Sequence, residues 1–269
     1  MKICTLSSGS TGNSIYIQSD KARILVDCGI TGKLAVKLLT NIGVNPTSLD
    51  AIFVTHEHID HIKGVGVMSR KFDIPIIANE ATWLAMRKKI GVISPKNILV
   101  FKSNTFFTFK DMDVQSVSIF HDAVDPVFFI FYNNNQKISV LTDTGIVNQT
   151  IVDSIRSSDV LVLESNHDLD MLENGPYPIE LKYRIKGEKG HLSNDASSTI
   201  VKDIIEGNGE HIILGHLSKT NNTEKVAFEN MNNTLTELGV IVNRDIKLDV
   251  AKEFEAGEFK DLGGNYKWI

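Results

Sequence analysis

Three histidines and an aspartate fall within His56-Glu57-His58-Ile59-Asp60-His61, directly after the apolar run Asp50-Ala51-Ile52-Phe53-Val54-Thr55. Neutral imidazole and carboxylate are the usual ligands of zinc, manganese and iron, so the chemistry these residues offer is divalent-metal binding. On a helix, positions 56, 58 and 61 point in different directions, and on a strand 58 and 61 face opposite sides. The spacing therefore predicts a turn leaving the end of a buried strand, folded so that imidazoles and carboxylate converge. The alternative is an exposed polar turn.

Four further segments share this arrangement, an apolar stretch followed at once by a residue able to bind metal or move protons. Ile119-Phe120 precede His121, residues 137–142 precede Asp143, residues 159–163 precede Glu164, and residues 211–215 precede His216. Ligands collect beyond strand ends because a rigid sheet places loop residues that need not pack in the core. The candidate metal ligands are then His56, His58, Asp60, His61, His121 and Asp143, with His216 as a seventh. A single ion takes about four ligands, so the excess implies two ions sharing a bridging carboxylate. Asp143, alone at its strand end, is the natural bridge. His56, His58 and His121 are assigned to the first metal, and Asp60, His61 and His216 to the second.

The elements that must position these groups read as strands at Ile3 to Leu6, Ser14 to Gln18, Arg23 to Asp27 and Ala51 to Thr55. Helices are expected at Leu34 to Ile42, Glu80 to Ile90, Ile146 to Ile155, Asn194 to Ile205 and Thr223 to Leu238. Ser193/Asn194 and Asn222/Thr223 are the caps of the last two. Asn133-Asn134-Asn135 predicts a hairpin turn between Val127-Tyr132 and Lys137-Leu141. Asn174 to Gly190 reads as the least regular region. Bunched strands with intervening helices, without strict alternation, suggest an α/β chain of two sheets packed face to face with helices outside. A single domain over 1–269 is expected.

Composition bounds the rest. The chain is 42% hydrophobic and 23% charged, ordinary for a globular protein, and its formal charge of -5 does not attract polyanions as a whole. Any nucleic-acid contact must come from a local basic surface. One candidate is the stretch Lys182-Tyr183-Arg184-Ile185-Lys186-Gly187-Glu188-Lys189-Gly190-His191. Lys182, Arg184 and Lys186 could neutralise phosphates while His191 protonates a leaving oxygen, or the stretch is a solvated surface balanced by Glu180 and Glu188. The glycine-rich opening, Ser7 to Ser14, reads first as a tight connection between strands, with Asn13 the residue placed to contact a phosphate or the metal centre. Glu164 reads as a partner orienting a ligand, and His167 as either such a partner or an acid/base group. The start lacks the apolar core of a secretory signal, and no apolar run reaches bilayer length, so a cytoplasmic protein without a membrane partner is expected. Cys4 and Cys28 lack CxxC spacing and read as buried reduced thiols.

His56-x-His58-x-Asp60-His61, followed in order by His121, Asp143 and His216, resembles the metallo-β-lactamase-fold hydrolases. Ile24-Leu25-Val26-Asp27-Cys28-Gly29 is similar to that family's first motif. More narrowly, the opening 7–14 and the stretches Glu164-Ser165-Asn166-His167-Asp168 and Gly190-His191-Leu192-Ser193-Asn194 resemble the YycJ (WalJ) branch. The resemblance implies an αββα four-layer sandwich, support of the metal-binding loop by Asp27, and a metal-dependent nuclease acting on DNA in preference to RNA.

The expected reaction is phosphodiester hydrolysis, DNA-exonuclease-like, by a hydroxide bridging two Zn2+ or Mn2+ ions, with Fe also compatible. His191 or His167 would assist the leaving group, and Asp60 counts with them among the catalytic groups. An oxygen-rich second site with aspartates at 60 and 143 suits phosphodiesters and weakens a lactamase reading, since zinc lactamases often carry cysteine at the position of Asp143. Alternatives are a small or cyclic phosphodiester substrate, a glyoxalase-like thioesterase, and a noncatalytic metal-stabilised regulatory scaffold.

Overall fold

The structure, a computed structural model, describes residues 1–262. In chain order its first elements are β1 (Lys2–Ser7), β2 (Ser14–Gln18), β3 (Arg23–Val26), α1 (Gly32–Asn41), β4 (Ala51–Phe53), α2 (Ile59–Ile62), α3 (Val65–Phe72), β5 (Ile76–Asn79), α4 (Glu80–Ile90), β6 (Ile98–Phe101), β7 (Phe106–Phe109) and β8 (Met112–Ser118). There follow β9 (Val127–Asn133), β10 (Gln136–Leu141), α5 (Gln149–Ile155), β11 (Val160–Glu164), α6 (Leu169–Asn174), α7 (Ile179–Lys186), α8 (Asn194–Ile204), β12 (His211–Gly215), α9 (Glu224–Glu237), β13 (Lys247–Val250) and β14 (Lys260–Asp261). The strands build two mixed sheets, and contacts gather the chain into two compact units.

The first unit comprises Met1–Ser118, Ala123–Val127 and the segment beginning at Lys252. Its sheet runs β14-β1-β2-β3-β4-β5-β6. β1, β2 and β3 are antiparallel neighbours, whereas β3, β4, β5 and β6 are parallel, so Asp27 and His56 both lie beyond carboxyl ends of adjacent strands. One face packs on helices through Leu25, Ile52, Ile76, Leu38, Leu39, Met68 and Met86, all buried. Burying one such side chain contributes roughly 1.5–3 kcal/mol, and this face anchors the strand whose end carries the histidines. Phe53 adds a second anchor on the other side of β4, with its ring against Phe107 and Phe109 at 6.2 and 5.5 Å.

The second unit comprises Ile119–Asp122 and Phe128–Ala251. Its strands run β13-β12-β11-β10-β9, with β9 and β10 antiparallel and the other neighbours parallel. β11 and β12 are continuously apolar and buried at their centres, and β10 is buried from Ile138 to Leu141 with Ser139 as its one polar residue there, as suits strands covered on both faces. Their carboxyl ends deliver Asp143, Glu164 and His216. The hairpin turn is Asn134-Asn135, with φ of 48° and 63°, the conformation that two-residue hairpins demand and asparagine tolerates.

Helix α4 has the expected bounds because Asn79 caps its start and Gly91 ends it. Ser193 and Thr223 cap α8 and α9. Three expectations need correction. The helix expected from Ile146 begins at Gln149, where the Asn148 side chain accepts from Ile151 N. The stretch expected to be irregular, Asn174 to Gly190, holds the eight-residue helix α7, which buries only Ile185 and so shows little periodicity. The 56–61 motif is only partly a loop: His58 opens α2, and Asp60 and His61 sit on that helical turn. Cys4 and Cys28 are both buried and free; burial pushes their thiols up to about 11 and about 12.

Candidate functional site

In the first unit the site is built on Asp27. This residue leaves β3 with φ 58°, a left-handed conformation that is uncommon for a side-chain-bearing residue and concentrates at functional sites. The turn aims its carboxylate at the next strand end. Oδ1 accepts from Thr55 N at 2.9 Å, and Oδ2 accepts from Thr55 Oγ1 at 2.8 Å and from His61 Nδ1 at 2.7 Å. With its proton given to Asp27, the Thr55 hydroxyl accepts from His56 Nδ1 at 2.9 Å. Both imidazoles therefore carry hydrogen on Nδ1 and keep a lone pair on Nε2. Burial pushes the Asp27 carboxyl up, against the opposing pull of His61 and Thr55. The His56 ring lies 4.7 Å from that of His58 and 4.1 Å from that of His61, so the three imidazoles converge.

The loop is fixed by close backbone approach. Asn13 N donates to Asp60 O at 2.8 Å, Gly29 N to Asn13 O at 2.7 Å, and Cys28 N to His61 O at 2.9 Å. A Cβ on Gly29 would stand 1.5 Å from Asp60 O and 2.8 Å from Asn13 N. Gly29→Ala is accordingly expected to destabilise the protein by about 3 kcal/mol, the upper range for overpacking, and to weaken metal binding with it. Denaturant midpoints with and without chelator check both effects.

In the second unit the organising group is Glu164, at the end of β11 and fully buried. Its Oε1 accepts from His191 Nδ1 and from His216 Nδ1, each at 2.8 Å. Its Oε2 accepts from Thr144 N at 3.0 Å and Leu192 N at 3.2 Å. Burial raises the carboxyl, but the His191 charge and the two imidazole hydrogen bonds outweigh it and bring the pKa down to about 2. Asp143 and His216 leave their strands with φ of 60° and 54°, the same device as at Asp27. Asp143, Glu164, His191 and His216 each offer a donor atom within 4.8 Å of the others. His121 Nδ1 donates to Gly190 O at 3.3 Å, and its ring lies 5.2 Å from that of His191. Asn166 holds the backbone of His216 through Nδ2 to the His216 carbonyl, 2.8 Å.

This donor set fits divalent transition metals. Imidazoles whose Nδ1 is engaged by carboxylate, hydroxyl or backbone carbonyl, and whose Nε2 keeps its lone pair, are the usual form of a metal-ligating histidine. Thr55, Asn166 and the Gly190 carbonyl were not singled out by the sequence. The signal for Thr55 was its place directly before His56; Asn166 and Gly190 lie inside the 164–168 and 190–194 stretches that carry the family resemblance, but their contacts with His216 and His121 are long-range.

The remaining candidates lie as follows. His167 is buried, with Nδ1 3.3 Å from Asn166 Oδ1, and burial foremost holds its pKa down to about 4. An imidazole kept neutral in this way donates no proton near neutral pH. The unfolded chain binds that proton near pH 6.5 and the folded one only near 4, so stability falls as pH drops through this window. The loss is expected to reach about 3 kcal/mol, measured by urea unfolding of chelator-treated protein, and His167→Gln should flatten the slope. On α7, Lys182 Nζ donates to Glu173 O at 2.6 Å, Lys186 Nζ pairs with Glu173 Oε2 at 2.6 Å, and Arg184 Nε pairs with Asp122 Oδ2 at 2.6 Å. These cations thus have partners within their own unit. His211 pairs with Asp249 across β12 and β13, away from the strand ends that carry the site.

The matching family model is that of the metallo-beta-lactamase superfamily, over residues 8–185, and the chain belongs to that superfamily. It is a hydrolase with the metallo-β-lactamase fold and divalent-metal ligands. Over 234 residues it is 42% identical to the exodeoxyribonuclease YycJ of Bacillus anthracis, covering 87% of this chain and 89% of that protein. Over 249 residues it is 39% identical to the exodeoxyribonuclease WalJ of Streptococcus pneumoniae, covering 92% and 93%. The crystal structure of the metallo-beta-lactamase fold protein YhfI from Bacillus subtilis superposes with a TM-score of 0.72 at 17% identity, over 95% of this chain and 98% of that one.

Proposed function

We propose that the chain is a two-metal phosphodiesterase that degrades DNA from its ends. In this reading His56, His58 and His121 would hold one ion, Asp60, His61 and His216 the other, with Asp143 as the carboxylate shared between them. The observation that carries it is the paired anchoring of imidazoles: Asp27 on His61 Nδ1 and Glu164 on His216 Nδ1 leave an Nε2 lone pair on each histidine. Divalent ions held there, Zn2+ or Mn2+, would supply positive charge for the nonbridging phosphate oxygens and a nucleophilic water at neutral pH.

The protein's own groups do the rest. Glu164 Oε1 accepts from His191 Nδ1 and fixes the orientation of the ring, from which a proton would pass to the leaving oxygen. His191 retains 20% side-chain exposure, enough to meet a substrate, whereas buried His167 serves the surrounding backbone. Arg184, 58% exposed, can exchange Asp122 for a phosphate at small cost, because exposed ion pairs contribute little. Lys182 and Lys186, four residues apart on α7, offer two further cations, and a single domain over 1–269 is the unit that would act. The relatives named exodeoxyribonuclease support DNA as the substrate class.

End-labelled single- and double-stranded DNA and RNA, incubated with Mn2+- or Zn2+-loaded protein, test the proposal. Progressive shortening of DNA from one end, lost on chelation, is expected. Turnover confined to cyclic or dinucleotide phosphodiesters, thioester cleavage without phosphodiester cleavage, or chelation that only melts an inactive protein would overturn it.

A further inference from the structure

Asn13 lies beside the proposed second metal's ligands in a way that a connecting loop does not require. Its side chain is buried, and Oδ1 accepts from Gly9 N at 2.9 Å, which distinguishes the two ends of the amide and puts Nδ2 on the side of His61. Nδ2 stands 3.1 Å from His61 Nε2 and 3.5 Å from Asp60 Oδ2. Because Asp27 holds the proton on His61 Nδ1, Nε2 is an acceptor, and the Asn13 amide donates into its lone pair. That lone pair is the one a metal would take.

We infer that Asn13 competes with the second cation for His61: its N–H donates into the Nε2 lone pair that the ion would take, and once displaced would donate to an oxygen of a bound phosphodiester. The inference rests on His61 being a metal ligand through Nε2. The loop is built for such a residue. Gly9 has φ 152°, and a Cβ on Gly12 would meet Ile30 Cγ2 at 2.7 Å, so glycines bring the segment against 29–30 and 60–61. The backbone of Asn13 is tied on both sides, by its N to Asp60 O and its O to Gly29 N, leaving only the amide end to rearrange. A backbone so tied needs no Asn13–His61 bond to keep its place, which separates this role from simple loop support.

Two consequences follow for the cation and the substrate. The ion must break a hydrogen bond to bind, so wild-type affinity is lower than the ligands alone would give. The released N–H can return that cost only when a phosphate oxygen is present, so cation and substrate bind cooperatively.

Calorimetric titration of chelator-stripped protein with Mn2+, with metal content by elemental analysis, tests this on wild type, Asn13→Ala, Asn13→Asp and His61→Ala. Asn13→Ala is expected to bind the second Mn2+ roughly five-fold tighter, the equivalent of one modest hydrogen bond, while kcat/KM on bis(p-nitrophenyl) phosphate falls about ten-fold. Asn13→Asp, which can still accept from Gly9 N and offers a carboxylate, should tighten the ion further and lose the same activity. Unchanged or weaker Mn2+ binding in Asn13→Ala, with a circular dichroism spectrum like that of wild type, would overturn the inference. If Asn13→Ala alone misfolds, Asn13→Asp decides: binding no tighter than wild type overturns it. A wild type that binds no second Mn2+, or a His61→Ala variant that binds it equally well, would instead overturn the two-metal reading.

Discussion

Glu164→Gln is expected to cost more than any other single-atom change in the protein: roughly 3–5 kcal/mol of stability, as for breaking a buried charge pair, and 10–100-fold in metal affinity. The carboxylate accepts four hydrogen bonds, two imidazole N–H groups on Oε1 and two backbone N–H groups on Oε2. A carboxamide has one acceptor end. If its oxygen faces the imidazoles, the NH2 confronts the amides of Thr144 and Leu192, donor against donor at a fully buried position. If it is flipped, the NH2 forces His191 and His216 to move their protons to Nε2, the atom that the metal requires. Either orientation fails, for reasons of inventory and not of size. The measurements are urea unfolding with and without metal and Mn2+ titration. A variant within about 1 kcal/mol of wild type and with unchanged metal affinity would show that Glu164 is not the organising anion.

Much of this architecture was legible in the sequence because the ligands sit where chain direction changes. His56, His121, Asp143, Glu164 and His216 each follow an apolar stretch, and a group that cannot be buried unpaired at the end of a buried strand must be partnered or functional. Local capping made α4, α8 and α9 readable, and the tandem asparagines gave away the β9–β10 hairpin. What escaped was set by distant contacts. α7 buries one side chain and carries charge around most of its surface, so no apolar stripe marks it. β6 exposes Ile98, Leu99 and Val100 at the end of its sheet order, an apolar run that looks like core and is an edge. The net charge of the 182–191 stretch does not show that Lys182 and Lys186 meet Glu173, and Arg184 meets Asp122, partners that a phosphate would have to replace. Only the folded chain reveals those partners. Asn13 reads in sequence as the residue of the glycine loop placed to contact a phosphate or the metal centre, but the sequence does not say which atom it meets. Its meaning depends on Gly9, which orients the amide, and on His61, which receives it.

Asp143→Asn separates catalysis from folding. The residue is buried and holds φ 60° at the end of β10, a conformation that asparagine tolerates nearly as well as aspartate and that alanine does not. Shape and backbone therefore survive the exchange, and what is lost is one negative charge facing His216, 3.3 Å away, and His191, 3.8 Å away. As the proposed bridge, that charge binds both ions, so its loss is expected to lower kcat/KM for DNA by roughly 10³-fold and to reduce bound metal below two ions per chain. In chelator-treated protein the sign reverses. A carboxylate buried within 4.8 Å of a donor atom of Glu164, itself ionised, crowds like charges that bound ions would relieve. Neutralising it should leave the metal-free fold as stable as wild type or more so, raising its thermal midpoint by a few degrees. Asp143→Ala, carrying the same loss of charge plus the backbone penalty, should fall below both. Scanning calorimetry of the three proteins with and without chelator reads the pattern directly. A metal-free Asp143→Asn less stable than wild type would mean that the carboxylate serves the fold itself, and the bridging role would go to another residue.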